Sequence, residues 1–379
     1  MAFANMTATD DSKLYHKGKI MQKYQKCVNV CRFLCTFTRL KTTCMKFKVC
    51  IAAVLPFLWV SCKYNTPVLP GSGGKTCEVI VVTPKDHWNG TVGDSIRAFF
   101  GAIQPGLNQP EPYFDLVNIQ PRQFNESEMF RRHRNVLIVE YDAQTAMPGL
   151  EMTQDVWAFP QIVMKFNLRD GRDFDSLFPL CKQRLMQAVY AKEYQRIQKV
   201  FKADQALNLT ARLQEEYGFG LVFPDGFGFA AADRDFGWIR KESKHYGQGI
   251  IFSVYPYRSQ TDFQIENIIT RRNAMCAKIP GPTEGSYMGT ETEEEEFRPF
   301  SRPVLLNGCY AVETRGLWKL EGDFMGGPFV NYLIADTANA RLIMLDAYLY
   351  SPRKPKRDLL MQMEGIARSF KLVSPSVQQ

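Results

Sequence analysis

"CYAVETRGLWKLEGDFMGGPFVNYLIADTANARLIMLDAYLYS", residues 309–351, contains three apolar runs with short connections between them. The first connection holds Gly326, Gly327 and Pro328, and the second is "TANA", residues 337–340. Runs rich in β-branched and aromatic residues that are bounded by turn residues predict strands, and the short "TANA" link predicts a hairpin. This stretch therefore predicts an antiparallel sheet.

Helical patterns flank this sheet on both sides. Residues 359–370 carry an apolar stripe at three- and four-residue steps, which is typical of a helix that covers a sheet. Further helices are predicted over residues 94–103, 126–134, 176–201, 206–217 and 263–279, and further strands over 78–82, 113–119, 135–141, 156–168, 236–243 and 249–257. We predict an α+β fold with mainly antiparallel sheets and flanking helices, built from halves at 77–204 and 205–373 that are similar to each other.

The positive charge of the chain is concentrated at one end. The 379 residues have a formal net charge of +8, and residues 1–61 contain ten Lys or Arg against two Asp. From Cys62 onward the basic and acidic residues are equal in number. Because nucleic-acid affinity comes from clustered Lys and Arg side chains that neutralise phosphates, a neutral body argues against a nucleic-acid partner.

A sequence that is typical of the N-terminus of a secreted protein lies inside the chain, at "MKFKVCIAAVLPFLWVSCKYN", residues 45–65. Lys46 and Lys48 precede an apolar run over residues 49–60, which is the order and size of a secretory signal and too short for a membrane span. Cys62 then follows a small residue, as in the lipobox of bacterial lipoproteins, although Trp59 stands where a lipobox usually has leucine. We predict a signal peptide at 45–61 and a lipid on Cys62; the alternative is a buried apolar helix.

The segments around this signal complete the domain prediction. Residues 1–44 are expected to be a spurious or disordered extension, residues 62–76 a flexible tether rich in Pro, Gly and Ser, and residues 374–379 a tail. Four cysteines, Cys77, Cys181, Cys276 and Cys309, are spread over the body, and their spacing leaves open whether one or two disulfide bridges form.

Several blocks of the body resemble a known family. They include "AAADRDFGWIRKE" (230–242), "RRNAMCAKIPGPTEGSYMGTE" (271–291), "ETRGLWKLEGDFMGGPFVNYLIAD" (313–336) and "YSPRKPKRDLLMQMEGI" (350–366). The chain is similar, over about residues 62–373, to the domain-of-unknown-function family 4837 of Bacteroidota lipoproteins. The resemblance implies a lipid-anchored protein of the cell envelope, in the outer membrane, and it implies no catalytic residues.

Candidate site residues are few. His87 and Trp88 directly follow the first predicted strand, where sites of α/β proteins often lie, while Arg315 and Asp323 precede a Gly-Gly-Pro turn and could face a polar ligand. For each pair a structural role is the alternative: a packing Trp beside an exposed His, and an Arg paired with a neighbouring carboxylate. We predict no metal site, no cofactor and no catalytic residue, since HExxH and GxSxG patterns are absent from the sequence.

Two functions remain open at this point. The first is a lipid-anchored, non-enzymatic binding module whose partner is an envelope protein or a small ligand. The second is an envelope hydrolase that uses carboxylates and a histidine, which requires His87 and Asp323 to meet in one cleft. The first hypothesis is favoured because no nucleophile accompanies His87.

Overall fold

The first five strands form a sheet whose pairing is mostly parallel. The computed structural model describes residues 68–373 of the protein. The strands are β1 (Glu78–Val82), β2 (Asp115–Ile119), β3 (Asn135–Tyr141), β4 (Gly149–Gln154) and β5 (Ile162–Leu168). They lie in the order β2-β1-β3-β5-β4, and only β4 and β5 pair antiparallel. β1 reads EVIVV with four buried residues in a row, as expected for a parallel strand that is covered on both faces.

Helices of the first sheet lie between and after these strands. They are α1 (Lys85–Trp88), α2 (Thr91–Phe100), α3 (Pro121–Glu126), α4 (Glu128–Arg131) and α5 (Gly171–Ala203). α5 begins where the Asp170 carboxylate accepts hydrogen bonds from the backbone N–H groups of Arg172 and Asp173, which have no partner inside the first turn. The side chains of Phe174 and Leu185 join α5 to the apolar core of the sheet.

The second sheet has eight strands and is antiparallel. Within residues 68–373, the remaining strands are β6 (Phe219–Gly220), β7 (Gly228–Asp233), β8 (Phe236–Glu242), β9 (Gly247–Pro256), β10 (Tyr287–Thr290), β11 (Phe300–Leu306), β12 (Cys309–Glu321), β13 (Gly326–Asp336), β14 (Arg341–Tyr350) and β15 (Lys371–Leu372). The order is β10-β12-β13-β14-β9-β8-β7, with β11 also paired to β12. β6 and β15 form a separate two-stranded ladder.

Helices cover both faces of the second sheet. They are α6 (Leu207–Tyr217), α7 (Ile265–Cys276) and α8 (Arg357–Ala367), and short 3-10 turns occur at Gln260–Phe263, Glu295–Phe297 and Thr337–Asn339. α6 and α8 pack on one face through residues such as Leu213 and Ile366. α7 packs on the other face through Ile268 and Met275. The sheet therefore has an apolar core on each side.

α8 also connects the second sheet to the first. Met361 belongs to the core of the first sheet, whereas Met363 belongs to the core of the second. Gly365 lets α8 approach α5 closely, because a Cβ atom at this position would lie 2.5 Å from the Cγ2 atom of Ile197. The two sheets thus share one helix.

The predicted fold class is confirmed, with differences in detail. The structure is α+β and its larger sheet is antiparallel. Gly218, with φ +74°, ends α6 where the sequence predicts its end. The first sheet is mostly parallel, whereas the second is antiparallel. Although both halves contain strands and helices, they therefore do not share one topology. β4, β7, β10 and β11 were not predicted, because such exposed or short strands carry no strong apolar period.

The tether prediction requires a correction. Residues 62–76 were expected to form a flexible tether, but the backbone of residues 70–73 is hydrogen-bonded to the segments that precede β3 and β5. The N–H of Gly73 donates to the carbonyl of Arg132 at 3.0 Å, and the N–H of Arg134 donates to the carbonyl of Gly73 at 3.0 Å. The predicted extension at 1–44, the signal at 45–61, Cys62 and the tail at 374–379 lie outside the described residues.

Two further sequence questions concern the body of the chain. Cys77, Cys181, Cys276 and Cys309 are free thiols in the structure, so the four form no disulfide among themselves. None of the helices within residues 68–373 is both long enough and apolar enough to cross a membrane.

Candidate functional site

A cavity lined by aromatic side chains lies at one end of the second sheet. We call it the aromatic pocket; Trp238, Trp318, Tyr348 and Tyr350 form its walls, and its volume is about 380 Å³. These side chains come from β8, β12 and β14 and point to the face of the sheet on which α7 packs. α7 ends at Cys276, and residues 279–282 after it border the cavity. The pocket is therefore the part of this face that the helix leaves uncovered.

Two glycines of β9 shape the floor of the pocket. Gly249 is paired with Tyr348 and Arg240 on the neighbouring strands, and Gly247 is paired with Tyr350 and Glu242. Because paired residues share one face, both positions lack a side chain where the aromatic rings lie. A Cβ atom on residue 249 would be 2.3 Å from the Tyr348 ring, so glycine is what allows this ring to lie over the sheet.

Alanine substitutions at these two glycines should have different effects. Gly249→Ala should lower the free energy of unfolding by about 1–3 kcal/mol, because the ring of Tyr348 has to move. Gly247→Ala is the matched control: its Cβ would meet only the Cβ of Tyr350, at 3.9 Å, and we expect a change within about 0.5 kcal/mol. Urea unfolding of the two variants measures the difference, and equal losses of stability would contradict the geometry described here.

The polar atoms of the aromatic walls are mostly paired with protein groups. The indole Nε1–H of Trp238 donates to the hydroxyl of Tyr348 at 2.9 Å, and that of Trp318 donates to the carbonyl of Leu349 at 3.1 Å. Burial raises the pKa of Tyr348 to about 12, although the hydrogen bond from Trp238 acts in the opposite direction. The hydroxyl is therefore neutral at physiological pH.

Charged residues stand at the rim of the pocket, where Arg240 and Glu242 compensate each other and Lys244 is exposed to water. The guanidinium of Arg240 lies 4.7 Å from the ring centre of Trp238 and also pairs with Glu242 at 2.9 Å. Lys244 and His245 follow in the turn between β8 and β9. Met288 and Met325 also line the pocket. The pocket thus has an apolar, adaptable interior below a rim that carries both signs of charge.

His87 and Trp88 lie in α1, at the carboxyl end of β1. The ring of His87 stacks on Tyr141 with 4.2 Å between ring centres, and the guanidinium of Arg97 lies 4.5 Å from the ring centre of Trp88. A second depression of about 460 Å³ lies nearby and is lined by polar residues such as Glu140 and by Tyr141. It is larger than the aromatic pocket but formed by few side chains around an exposed loop, so we regard it as the weaker candidate.

Arg315 lies in a buried cluster of charges. Its Nη1 and Nη2 atoms donate to the two carboxylate oxygens of Glu364 at 2.9 and 2.6 Å, and its Nε donates to Glu313 at 2.8 Å. Glu313 also accepts hydrogen bonds from Arg302 and Arg368. Because Glu313 is on β12 and Glu364 is on α8, this cluster joins the sheet to the helix. Arg315 therefore has the structural role that was its alternative: it pairs with carboxylates.

Asp323 lies in the exposed turn between β12 and β13. Its carboxylate accepts hydrogen bonds from the hydroxyl of Thr283 and the backbone N–H of Phe324, both at 2.6 Å. Neither it nor His87, Trp88 or Arg315 lines the aromatic pocket or the depression beside Tyr141. The structure therefore pairs His87 with Tyr141 and Arg315 with Glu313 and Glu364, and it does not bring the predicted site residues together.

The residues of the aromatic pocket were not predicted as a site, although their strands were. The sequence places Trp238 in "FGWIRKES", Trp318 in "GLWKLEG", and Tyr348 and Tyr350 in "AYLYS". A signal was present in the alternation of Tyr348 with Tyr350 and of Gly247 with Gly249, since each pair lies on one face of its strand. The register that places the glycines against the tyrosines follows only from the pairing of β9 with β14.

Within residues 68–373, no group of three or more His, Cys, Asp or Glu side chains is arranged to hold a metal ion. A comparison with curated proteins finds no match.

Among solved structures, a crystal structure of the Saccharomyces cerevisiae Ran-binding protein Mog1p is similar at 10% identity and a TM-score of 0.28, covering 42% of this chain and 92% of that one. A mutant of protein Mog1 is similar at 11% identity and a TM-score of 0.26, covering 42% and 93%. Both similarities are too low to carry an argument about fold or function.

Two family models match successive parts of the chain. Residues 72–202 match a domain of unknown function, DUF8532, and residues 206–369 match a domain of unknown function, DUF4837. The resemblance to the second family, expected over about residues 62–373, is thus limited to the part that contains the second sheet. Residues 206–369, which contain every residue that lines the aromatic pocket, are the part of the chain that belongs to the family of domains of unknown function DUF4837.

Proposed function

We propose that this chain is a lipid-anchored binding protein of the cell envelope, in the outer membrane, and that it holds a small ligand in the aromatic pocket. The aromatic pocket is the observation that carries the binding function. The anchor is proposed from the sequence alone, because the basic start at Met45, the apolar run and Cys62 have the order of a lipoprotein signal.

The pocket has the properties of a small-molecule site. Its volume of about 380 Å³ lies in the lower part of the range that is usual for such sites, and its walls are large aromatic side chains below a polar rim. Aromatic surface left open to water carries a free-energy cost that an apolar occupant removes. A ligand that fills this cavity would gain this energy without any rearrangement of the sheet.

A protein of the envelope is the second candidate occupant. Phe324 is fully exposed in the turn between β12 and β13, and the next residue, Met325, lines the aromatic pocket. Phe324 would extend the apolar surface of the cavity for a protein partner. A protein that inserts a side chain into the pocket would contact Phe324 as well, whereas a small ligand inside the pocket would not.

The proposed anchor would keep the folded part close to the membrane. Cys62 is only eight positions along the chain from Pro70, whose carbonyl accepts a hydrogen bond from the loop before β5. Eight residues span at most about 30 Å even when fully extended. A ligand of this protein is therefore expected to be encountered near the membrane surface.

The hydrolase alternative receives no support from the geometry. It requires His87 and Asp323 in one cleft, but His87 follows a strand of the first sheet and stacks on Tyr141. Asp323 lies in a turn of the second sheet and is bonded to Thr283. We therefore do not propose a reaction for this chain.

Labelling with palmitate tests the anchor. Cells of a bacterium that processes lipoproteins, producing the full-length chain, should incorporate labelled palmitate into it, and Cys62→Ala should remove essentially all of the label because that thiol is the proposed acceptor. Cys50→Ala, which changes a cysteine inside the apolar run, is the control and should keep the label. Label that persists in Cys62→Ala would refute the anchor while leaving the pocket untouched.

A further inference from the structure

We propose that the ligand of the aromatic pocket is a neutral, apolar molecule that carries one oxygen, such as a carbonyl, which accepts a hydrogen bond from the hydroxyl of Tyr348. This inference rests on the proposed function, since it specifies the ligand of the same pocket.

The hydroxyl of Tyr348 has an unused donor. It accepts a hydrogen bond from the Nε1–H of Trp238 at 2.9 Å, which is its only hydrogen bond to residues 68–373. A tyrosine hydroxyl can donate one hydrogen bond in addition to those that it accepts. The Tyr348 side chain is 7% exposed and lines the pocket, so its proton is buried beside a cavity without a protein acceptor. A buried donor of this kind is stabilised when an acceptor reaches it.

The two indole groups of the pocket do not compete for the same ligand atom. The indole N–H of Trp318 is engaged with the carbonyl of Leu349, and that of Trp238 is engaged with Tyr348 itself. Since each indole has a single donor, neither has one left for a ligand. Among the four aromatic wall residues, the hydroxyls of Tyr348 and Tyr350 are thus the groups that can donate to an oxygen inside the pocket, and Tyr348 is the more deeply buried of the two.

The charge distribution favours a neutral ligand. Arg240 and Glu242 at the rim are paired with each other at 2.9 Å, Lys244 at the rim is exposed to water, and the interior is formed by aromatic side chains and methionines. A charged ligand group that entered this interior would lose its hydration without meeting an unpaired counter-charge there, which is costly. Because burial raises the pKa of Tyr348 to about 12, this residue remains a neutral donor and not an anion over the physiological range.

Two diaryl compounds of nearly equal shape test the inference. Benzophenone carries a carbonyl where diphenylmethane carries a methylene group, so the pair differs in one acceptor oxygen. We expect the full-length chain with Cys62→Ala, which needs no detergent if the anchor is correct, to bind benzophenone about five-fold more tightly, the effect of one neutral hydrogen bond. Tyr348→Phe should bind both compounds equally. Equilibrium dialysis at pH 7 gives the four dissociation constants.

The possible results separate this inference from the proposed function. Equal binding of the two compounds to the unchanged pocket, or a preference for benzophenone that survives in Tyr348→Phe, would overturn the role of Tyr348. Failure of both compounds to bind would overturn the pocket as a ligand site.

A second measurement does not depend on the variant. Loss of the Tyr348 hydroxyl leaves the Nε1–H of Trp238 unpaired, and the variant could fold poorly. Irradiated benzophenone attaches to nearby C–H groups, and in the unchanged chain we expect attachment at Met288 or Met325, which also line the pocket. Attachment confined to residues outside the pocket would contradict the inference.

Discussion

Acidification from about pH 5 to pH 2 is expected to lower the free energy of unfolding by about 3 kcal/mol through Glu313 alone. Burial by itself would raise the pKa of Glu313, but the charges of Arg315, Arg368 and Arg302 outweigh burial and lower the pKa from 4.5 to about 2. A carboxyl group whose pKa is depressed by folding stabilises the folded state fully above its unfolded pKa. That contribution is lost as the pH falls from 4.5 towards 2.

The substitution Glu313→Gln isolates this contribution. The variant should be less stable at pH 7, because three arginines lose their shared carboxylate, and its stability should fall less steeply below pH 4.5 than that of the unchanged chain. Glu126→Gln removes an exposed partner of Arg122 and should keep the slope of the unchanged chain. Urea unfolding followed by circular dichroism between pH 7 and pH 2 provides the comparison. The same slope in Glu313→Gln and Glu126→Gln would show that Glu313 is not the group that titrates.

Those parts of the fold that depend on local patterns could be predicted from the sequence. β1, β3 and the end of α6 at Gly218 have strong apolar periods or a glycine stop signal. The parallel pairing of the first sheet could not be predicted in this way, because the apolar pattern of β1 contains no information about the strands that pair with β1. The hydrogen bonding of residues 70–73 to the segments that precede β3 and β5 was also missed, since a composition rich in Gly and Pro is shared by tethers and by ordered turns.

The candidate site depended even more on long-range contacts. Arg315 was singled out by its glycine-rich surroundings, but Glu364, which binds its guanidinium, is 49 residues away along the chain. Trp238 and Tyr348 are separated by 110 residues, and only the order of β8, β9 and β14 in the sheet brings them together. Sequence patterns predict the strands that form the aromatic pocket. The pocket itself depends on the register of these strands, which those patterns do not contain.

A side chain placed on the floor of the aromatic pocket is expected to abolish binding. Gly247 lines the pocket, and the nearest atom to a Cβ at this position is the Cβ of Tyr350, at 3.9 Å. Leucine in Gly247→Leu would extend from the sheet into the cavity and occupy the volume that a ligand needs. Because a ligand would then have to displace packed groups at a cost of about 1–3 kcal/mol, its affinity should fall about ten-fold or more.

Equilibrium dialysis of diphenylmethane against the full-length chain with Cys62→Ala determines whether the aromatic pocket binds a ligand, because this probe requires only the shape and apolar character of the pocket. Gly228→Leu is the control: a Cβ at Gly228 on β7 has no heavy atom within 4 Å, and this residue does not line the pocket. We predict saturable binding to the chain with and without Gly228→Leu, and binding at least about ten-fold weaker in Gly247→Leu. Saturable binding that is unchanged by Gly247→Leu, or no saturable binding at all, would contradict the account.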